Sequence, residues 1–204
     1  MLVVAVEGEG LAAWRELLMT PLHPKVADVV EGGGTRAASV KAGLRRLLEL
    51  GGVELVGVHD GARPLVSCAL IRALVERMQS SPHVDGAIPA LTPTDTIKQV
   101  DGRGIVTEGL DRSRLVAVQT PQVFHIPILS RAYDQPEGVL AAATDDASLV
   151  ELVGGRVGVV PGNWENLKVT NAFDLQVAEL LLAEWGRWAQ PGSVVRWGDA
   201  ARGV

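Results

Sequence analysis

The sequence predicts an α/β fold: a doubly wound, mostly parallel sheet covered by helices, with a β-arm projecting from it. Two observations carry this. Short β-branched runs alternate with stretches of helical period through most of the chain, the pattern of a parallel sheet with crossover helices. One segment, "TDTIKQVDGRGIVTEGLDRSRLVAV", breaks the rhythm and alternates polar and apolar residues about Asp101–Gly102, a strong hairpin signal. No helical stretch is available to cover it, so residues 94–114 read as an arm.

The elements follow in order. "LVVAV" is a strand, "LAAWRELL" a helix and "KVADVV" the second strand. The glycine turn "EGGGTR" leads into "RAASVKAGLRRLLEL", whose apolar residues recur at helical spacing. Next come "VELVGV" (strand), "SCALIRALVERMQ" (helix) and "VDGAIPAL" (strand), with right-handed crossovers expected. Past the arm the rhythm resumes in "LVAVQTPQVF". A helix opened by "TDDASLVELVG", with Thr144 as its N-cap, precedes the strand "RVGVVPG" and a short strand "NLKVT". A helix from about Asn171 to Trp188 ends the periodic part. Residues 1–185 are therefore expected to form one domain, and 186–204 a loosely held C-terminal extension.

Composition excludes several classes. A chain of 204 residues, 47% apolar and 21% charged, has the balance of one globular domain with a sizeable core. A net charge of −5 argues against sequence-independent nucleic-acid binding, which needs a basic footprint. The single cysteine, Cys68, cannot form an internal disulfide and suits a reducing cytoplasm. No apolar run reaches the length of a membrane span, and "MLVVAVEGEG" lacks the basic start of a signal peptide. Anionic small molecules remain possible ligands. Arg36, Arg63, Lys98, Arg112, Arg114 and Lys168 are the cations that could create a local field for them.

Several short motifs carry candidate chemistry. In "VHDGARP", Asp60 stands at the carboxyl end of a strand, where open α/β sheets bind ligands and where a carboxylate can hold Mg²⁺. Gly61 and Ala62 leave room for a ligand, and Arg63 offers a fork to phosphate. A plain strand-ending turn explains the same residues equally well. "EGGGTR", with Thr35 as N-cap, could bind an anion through backbone N–H groups and the helix dipole, or could be only a flexible turn. It is not a Walker loop. "GEGLAA" matches a dinucleotide fingerprint, with Asp28 or Glu31 about twenty residues on, and would point to an NAD-dependent oxidoreductase. Taken singly, Thr144 is more often a cap than a ligand, and Lys168 more often a solvated strand lysine.

The motifs together, in order, are more specific. The series "GG.TR..SV..GL", "VHD.AR", "DTIK", "QTPQ.F", "TDDAS.VE" and "G..V.VV.G...N.KVT...DL..AE.LL" closely resembles the 2-C-methyl-D-erythritol 4-phosphate cytidylyltransferases, up to about residue 183. The resemblance implies a Rossmann-like nucleotidyltransferase that joins CTP to methylerythritol phosphate with Mg²⁺, in the non-mevalonate isoprenoid pathway. It implies CTP contacts from Gly33, Gly34, Ser39, Asp60, Gly61 and Ala62, with Asp60 also at the metal. Arg63, Thr96, Arg112, Thr120, Thr144 and Lys168 would meet methylerythritol phosphate, and Arg112 and Lys168 would be catalytic. The family is a homodimer in which the arm reaches the partner.

Two departures qualify the resemblance. The family's "P-A-A-G-x-G-x-R" loop and following "P-K" pair have no match, and "MLVVAVEGEG" aligns with a later strand, so the domain reads as N-terminally truncated. The chain as written is therefore expected to have little or no activity on its own, because those elements meet the triphosphate charge. A catalytically deficient copy and a ribitol-5-phosphate cytidylyltransferase, which shares "QTPQ", are the alternatives. The oxidoreductase is a distant third, because it leaves every later motif unexplained.

Overall fold

The computed structural model describes residues 1–184. In chain order the elements are β1 (Leu2–Val6), α1 (Leu11–Leu18), β2 (Val26–Glu31), α2 (Arg36–Leu50), β3 (Leu55–Val58), α3 (Cys68–Ser80) and β4 (Gly86–Leu91). They continue with β5 (Lys98–Val100), β6 (Val106–Gly109), β7 (Ala117–Val118), β8 (Gln122–His125), α4 (Ile126–Tyr133), α5 (Glu137–Ala142), α6 (Asp146–Leu152), β9 (Val157–Pro161) and α7 (Ala172–Ala183). The chain divides into two compact units. The first is Met1–Val58 with Phe124–Val157; the second is His59–Val123 with the described residues from Gly158 on. The expected extension at 186–204 and the end of the last expected helix lie outside the described residues.

In the first unit β1 and β2 pair in parallel, from Leu2 opposite Val26 to Val6 opposite Glu31, with one register shift after Leu2. The parallel pair is the product of a crossover through α1, as the strand–helix–strand sequence requires. Helix α2 starts where Thr35 caps it, its hydroxyl accepting from Ala38 N–H at 3.1 Å. Strand β3 pairs with β8. Two helices here, α4 and α5, have no counterpart in the sequence reading. Both are short, and both begin beside a proline, Pro127 in the first turn of α4 and Pro136 at the cap of α5, where the missing N–H costs nothing.

Helices α4 and α6 pack together, burying Ile128, Leu129 and Ala132 against an α6 face of Ala147, Leu149 and Val150. One polar group lies within this apolar surface. Asp146 is fully buried; it accepts a hydrogen bond from the Tyr133 hydroxyl and pairs with Arg36 at 2.7 Å. Burial first, and the Asp146 carboxylate next, push the Tyr133 pKa far above its ordinary value, so the phenol stays a donor. The cap of α6 corrects an expectation. Asp145, not Thr144, is the N-cap, and it closes a capping box with Ser148, whose N–H it accepts at 2.9 Å. The box needs its partners three residues apart, which selects Asp145.

In the second unit β8, β4 and β7 lie in that order, and β9 also pairs with β4. The sheet is mixed, since β7 runs antiparallel to β4 through Ala90–Val118 and Leu91–Ala117. Residues 86–90 of β4 are all buried, as expected of a strand covered on both faces. Helix α3 buries Leu70, Leu74 and Met78 at four-residue spacing and packs on β4. Ser67 caps it, accepting from Leu70 N–H at 3.1 Å.

The arm is present as the antiparallel pair β5–β6, and every residue of both strands is exposed. Its turn is longer than the Asp-Gly dipeptide suggested. The Asp101 carboxylate accepts from Arg103 and Ile105 N–H, at 2.9 and 3.0 Å, and the left-handed residue is Gly104 at φ +79°, not Gly102. The segment "NLKVT" is not a strand; it runs in extended coil before α7. Helix α7 opens with a second capping box, between Asn171 and Asp174.

The Asp146 arrangement generates a stability prediction. Asp146→Ala removes the partner of a buried phenol and of Arg36 together, so a loss of roughly 3 kcal/mol is expected in chemical denaturation. Tyr133→Phe, which removes the donor along with its need, should lose about 1 kcal/mol. Equal losses from the two variants would show that the carboxylate's charge is not what the site depends on.

Candidate functional site

The site residues of the second unit gather on three loops. The first follows β3 and carries His59, Asp60, Gly61, Ala62 and Arg63. It is a tight turn, closed by a hydrogen bond from Arg63 N–H to Asp60 C=O at 3.0 Å. A Cβ placed on Gly61 would meet nothing within 4 Å, so the loop is open there. The second loop, leading into α7, lies against the first: Val169 N–H donates to Ala62 C=O at 2.8 Å. The neighbouring Lys168 then places its ammonium 2.9 Å from an Asp60 carboxylate oxygen. The Asp60 side chain is 14% exposed and that of Lys168 42%, so the pair faces solvent from one side only.

Arg63 turns inward. Its Nη1 donates to Asn166 C=O at 2.7 Å, and its Nε is buried without a hydrogen-bond partner. Burial, partly offset by the Asp60 carboxylate, draws its pKa below the usual arginine value, though a guanidinium stays charged at any physiological pH. His59 is held below the ordinary histidine range, chiefly by desolvation, with the Arg63 carbonyl and Asp60 acting the other way. It is therefore neutral near pH 7.

The third loop joins β7 to β8 and supplies Gln119 and Thr120. Both are buried, as is Asn166. The Gln119 amide donates to the carbonyls of Asn163 and Asn166, at 2.8 and 3.2 Å, and accepts from Asn163 N–H at 3.2 Å. Asn166 donates to Thr120 C=O at 2.8 Å. The Thr120 hydroxyl accepts from Asp60 N–H at 3.0 Å and lies 3.1 Å from His59 Nδ1. One polar network thus joins all three loops. Sequence reasoning places Asp60, Arg63, Thr120 and Lys168 in a site and misses the residues that hold them: His59, Gln119 and Asn166. The signal for these was present in "VHD", "QTPQ" and "NLKVT", but uncharged amides announce no chemistry of their own.

Arg112 and Thr96 belong to the base of the arm. Arg112 sits in a short 3₁₀ turn, Arg112–Arg114, where Asp111 accepts from Ser113 N–H, and its Nη1 donates to Thr94 C=O at 2.7 Å. Both Arg112 and Thr96 are exposed.

The remaining candidates lie in the first unit. The Ser39 hydroxyl accepts from Gly33 N–H at 3.1 Å and sits 3.1 Å from Thr35 C=O, so it serves the turn that opens α2. Gly33 is required there: a Cβ would lie 2.3 Å from that of Ala38. Gly34 has open space around it, and Thr144 is exposed one residue before the α6 cap. Gly8–Gly10, the decoy dinucleotide segment, is a 3₁₀ turn whose first glycine packs on Glu31, with 2.5 Å from its ideal Cβ to the carboxylate.

Among the described residues no cluster of three or more His, Cys, Asp or Glu side chains could hold a metal ion, and no helix is long and apolar enough to cross a membrane.

Comparison with known proteins fits this arrangement. The family model of 2-C-methyl-D-erythritol 4-phosphate cytidylyltransferase (IspD) matches residues 1–184. The protein of that name from Rubrobacter xylanophilus is 45% identical over 159 residues, which cover 78% of this chain and 67% of the relative. That from Streptomyces avermitilis is 42% identical over 194 residues, 90% of this chain and 74% of the relative. Among solved structures, the Francisella tularensis enzyme superposes with a TM-score of 0.73 at 33% identity, covering 87% of this chain and 78% of the other. The Thermus thermophilus enzyme gives 0.65 at 31% identity, covering 90% and 98%. The oxidoreductase alternative has no place among these relatives. The chain belongs to the 2-C-methyl-D-erythritol 4-phosphate cytidylyltransferase family.

Proposed function

We propose that this protein transfers the cytidylyl group of CTP to 2-C-methyl-D-erythritol 4-phosphate, giving 4-diphosphocytidyl-2-C-methyl-D-erythritol and pyrophosphate. The observation that carries the reading is the Asp60–Lys168 pair, held beside Arg63 on loops of a family member. An oxygen of the acceptor phosphate attacks the α-phosphorus of CTP, a new P–O bond forms, and the bond to the pyrophosphate leaving group breaks. The two reactants repel each other through their negative charges. Catalysis is then a matter of holding them in line and supplying positive charge.

Lys168 meets the acceptor phosphate: its ammonium is the more exposed member of the pair and can swing from Asp60 to a phosphate oxygen. Arg63 orients the acceptor from a more buried position, and Arg112 at the arm base supplies a further cation, with Thr96 and Thr120 as polar contacts. Gly61 and Ala62 line the nucleotide. Asp60 is the residue that would hold Mg²⁺. It provides a single carboxylate, which suits an ion that takes one or two carboxylates and completes its shell with phosphate oxygens and water. When bound, the ion neutralises phosphate charge.

The arm supports a homodimer. A two-stranded hairpin is marginal in water, and Val100, Ile105 and Val106 are 54–60% exposed. A second arm that covers these residues answers both facts. We place the enzyme in the cytoplasm, where a lone unpaired cysteine is stable.

Two outcomes are expected, both in the natural full-length polypeptide. Lys168→Ala should lower pyrophosphate release from CTP and methylerythritol phosphate roughly a hundred- to thousandfold with the fold intact by circular dichroism; the parental rate in this variant would remove Lys168 from the mechanism. Replacing residues 98–109 by a short Gly-Ser turn should convert a dimer to a monomer in sedimentation velocity. An unchanged dimer would place the interface elsewhere.

A further inference from the structure

His59 has no part in the mechanism so far, yet both of its ring nitrogens are engaged. Nε2 lies 3.0 Å from the Arg63 carbonyl oxygen. A carbonyl only accepts, so Nε2 carries the proton, and in the neutral ring Nδ1 is then an acceptor. Nδ1 lies 3.1 Å from Thr120 Oγ1, so the hydroxyl proton points at the ring. The same oxygen accepts from Asp60 N–H at 3.0 Å. The Thr120 proton and one of its lone pairs are both spent.

We propose that His59 is a positioning residue for the cytidylyl transfer: it ties the Arg63 carbonyl to the Thr120 hydroxyl, fixing the loop that carries Asp60 and Arg63, and it leaves Thr120 only as an acceptor. This rests on the function proposed above and deepens it. An oxygen with no proton to give cannot bind a phosphate oxygen, which also only accepts. What it can bind is a hydroxyl group. Thr120 therefore recognises the polyol part of the acceptor, while the phosphate is left to the cations. His59 thereby does two things with one tautomer. It closes the turn between residues 59 and 63, and it sets the polarity of a substrate contact 61 residues away in sequence.

The test combines spectroscopy with kinetics. In ¹⁵N-histidine-labelled protein, the His59 ring should show a protonated Nε2 and a bare Nδ1 near neutral pH, and Thr120→Val should move the Nδ1 resonance. In the full-length enzyme, His59→Ala should lower kcat roughly a hundredfold, the scale of a small displacement of reacting groups, while the KM for CTP changes little. His59→Asn can offer its amide oxygen to the Thr120 hydroxyl, whereas His59→Gln can only restore the donor to the Arg63 carbonyl. The Asn variant should accordingly retain more of kcat than either the Gln or the Ala variant. An Nδ1-protonated tautomer, a parental kcat in the Ala variant, or a Gln variant equal to the Asn variant would each overturn the proposal. A parental enzyme with no turnover would count against the proposed function instead, and the tautomer and its response to Thr120→Val would still decide the role of His59.

Discussion

The carbonyl and amide of Asn166 are the point on which the second unit's loops depend. The carbonyl takes hydrogen bonds from both Arg63 and Gln119, and the side-chain amide donates to the Thr120 carbonyl. Asn166 is wholly buried, so each of these bonds is made where water cannot substitute. Two residues further along stands Lys168, whose ammonium reaches Asp60. The positions of three charged groups thus follow from where one uncharged residue is held. Gln119 fixes that residue from the other side. The side-chain amide can do this because its nitrogen carries two donors; a carboxylate here could not donate to Thr120, and an aliphatic side chain would leave the Thr120 carbonyl and the Gln119 amide oxygen short of a donor.

Much of the fold could be read from periodicity alone. Strands β1 to β4, helices α1 to α3 and the arm stand within a few residues of where alternation and helical spacing put them, because burial on one face is what those patterns record. What was not legible has a physical cause in each case. Helices α4 and α5 are short and begin beside prolines, which in sequence read as breakers as readily as first-turn residues. The segment "NLKVT" has the composition of a strand, but it sits against a turn and makes its hydrogen bond to Ala62 there. Thr144 lost the cap of α6 to Asp145 because the capping box counts three residues to Ser148.

The candidate site divides along the same line. Its charged residues were visible because Asp, Arg and Lys at loop positions between apolar runs demand an explanation. The network that orients them was not, since His59, Gln119 and Asn166 reveal their work only through hydrogen bonds between segments far apart in the chain. The family resemblance assigns Gly33 and Ser39 to a ligand; in the structure they serve the turn, one by close approach to Ala38 and the other through its hydroxyl.

The two units use ion pairs in opposite ways, and burial is what separates them. In the first, the Asp146 side chain is fully buried against Arg36 and Tyr133, so exchanging its partners would strand a charge in an apolar setting. Such a pair can only be structural. In the second, Lys168 keeps 42% of its side chain in solvent while Asp60 keeps 14%. A pair of this kind contributes little to stability and costs little to open. Each partner can then trade the other for a ligand of the same charge type, the ammonium for phosphate and the carboxylate for a cation. Paired, the two ions neutralise each other, and neither stands uncompensated before such a trade. The loop network supplies what the weak pair lacks, a fixed place to return to.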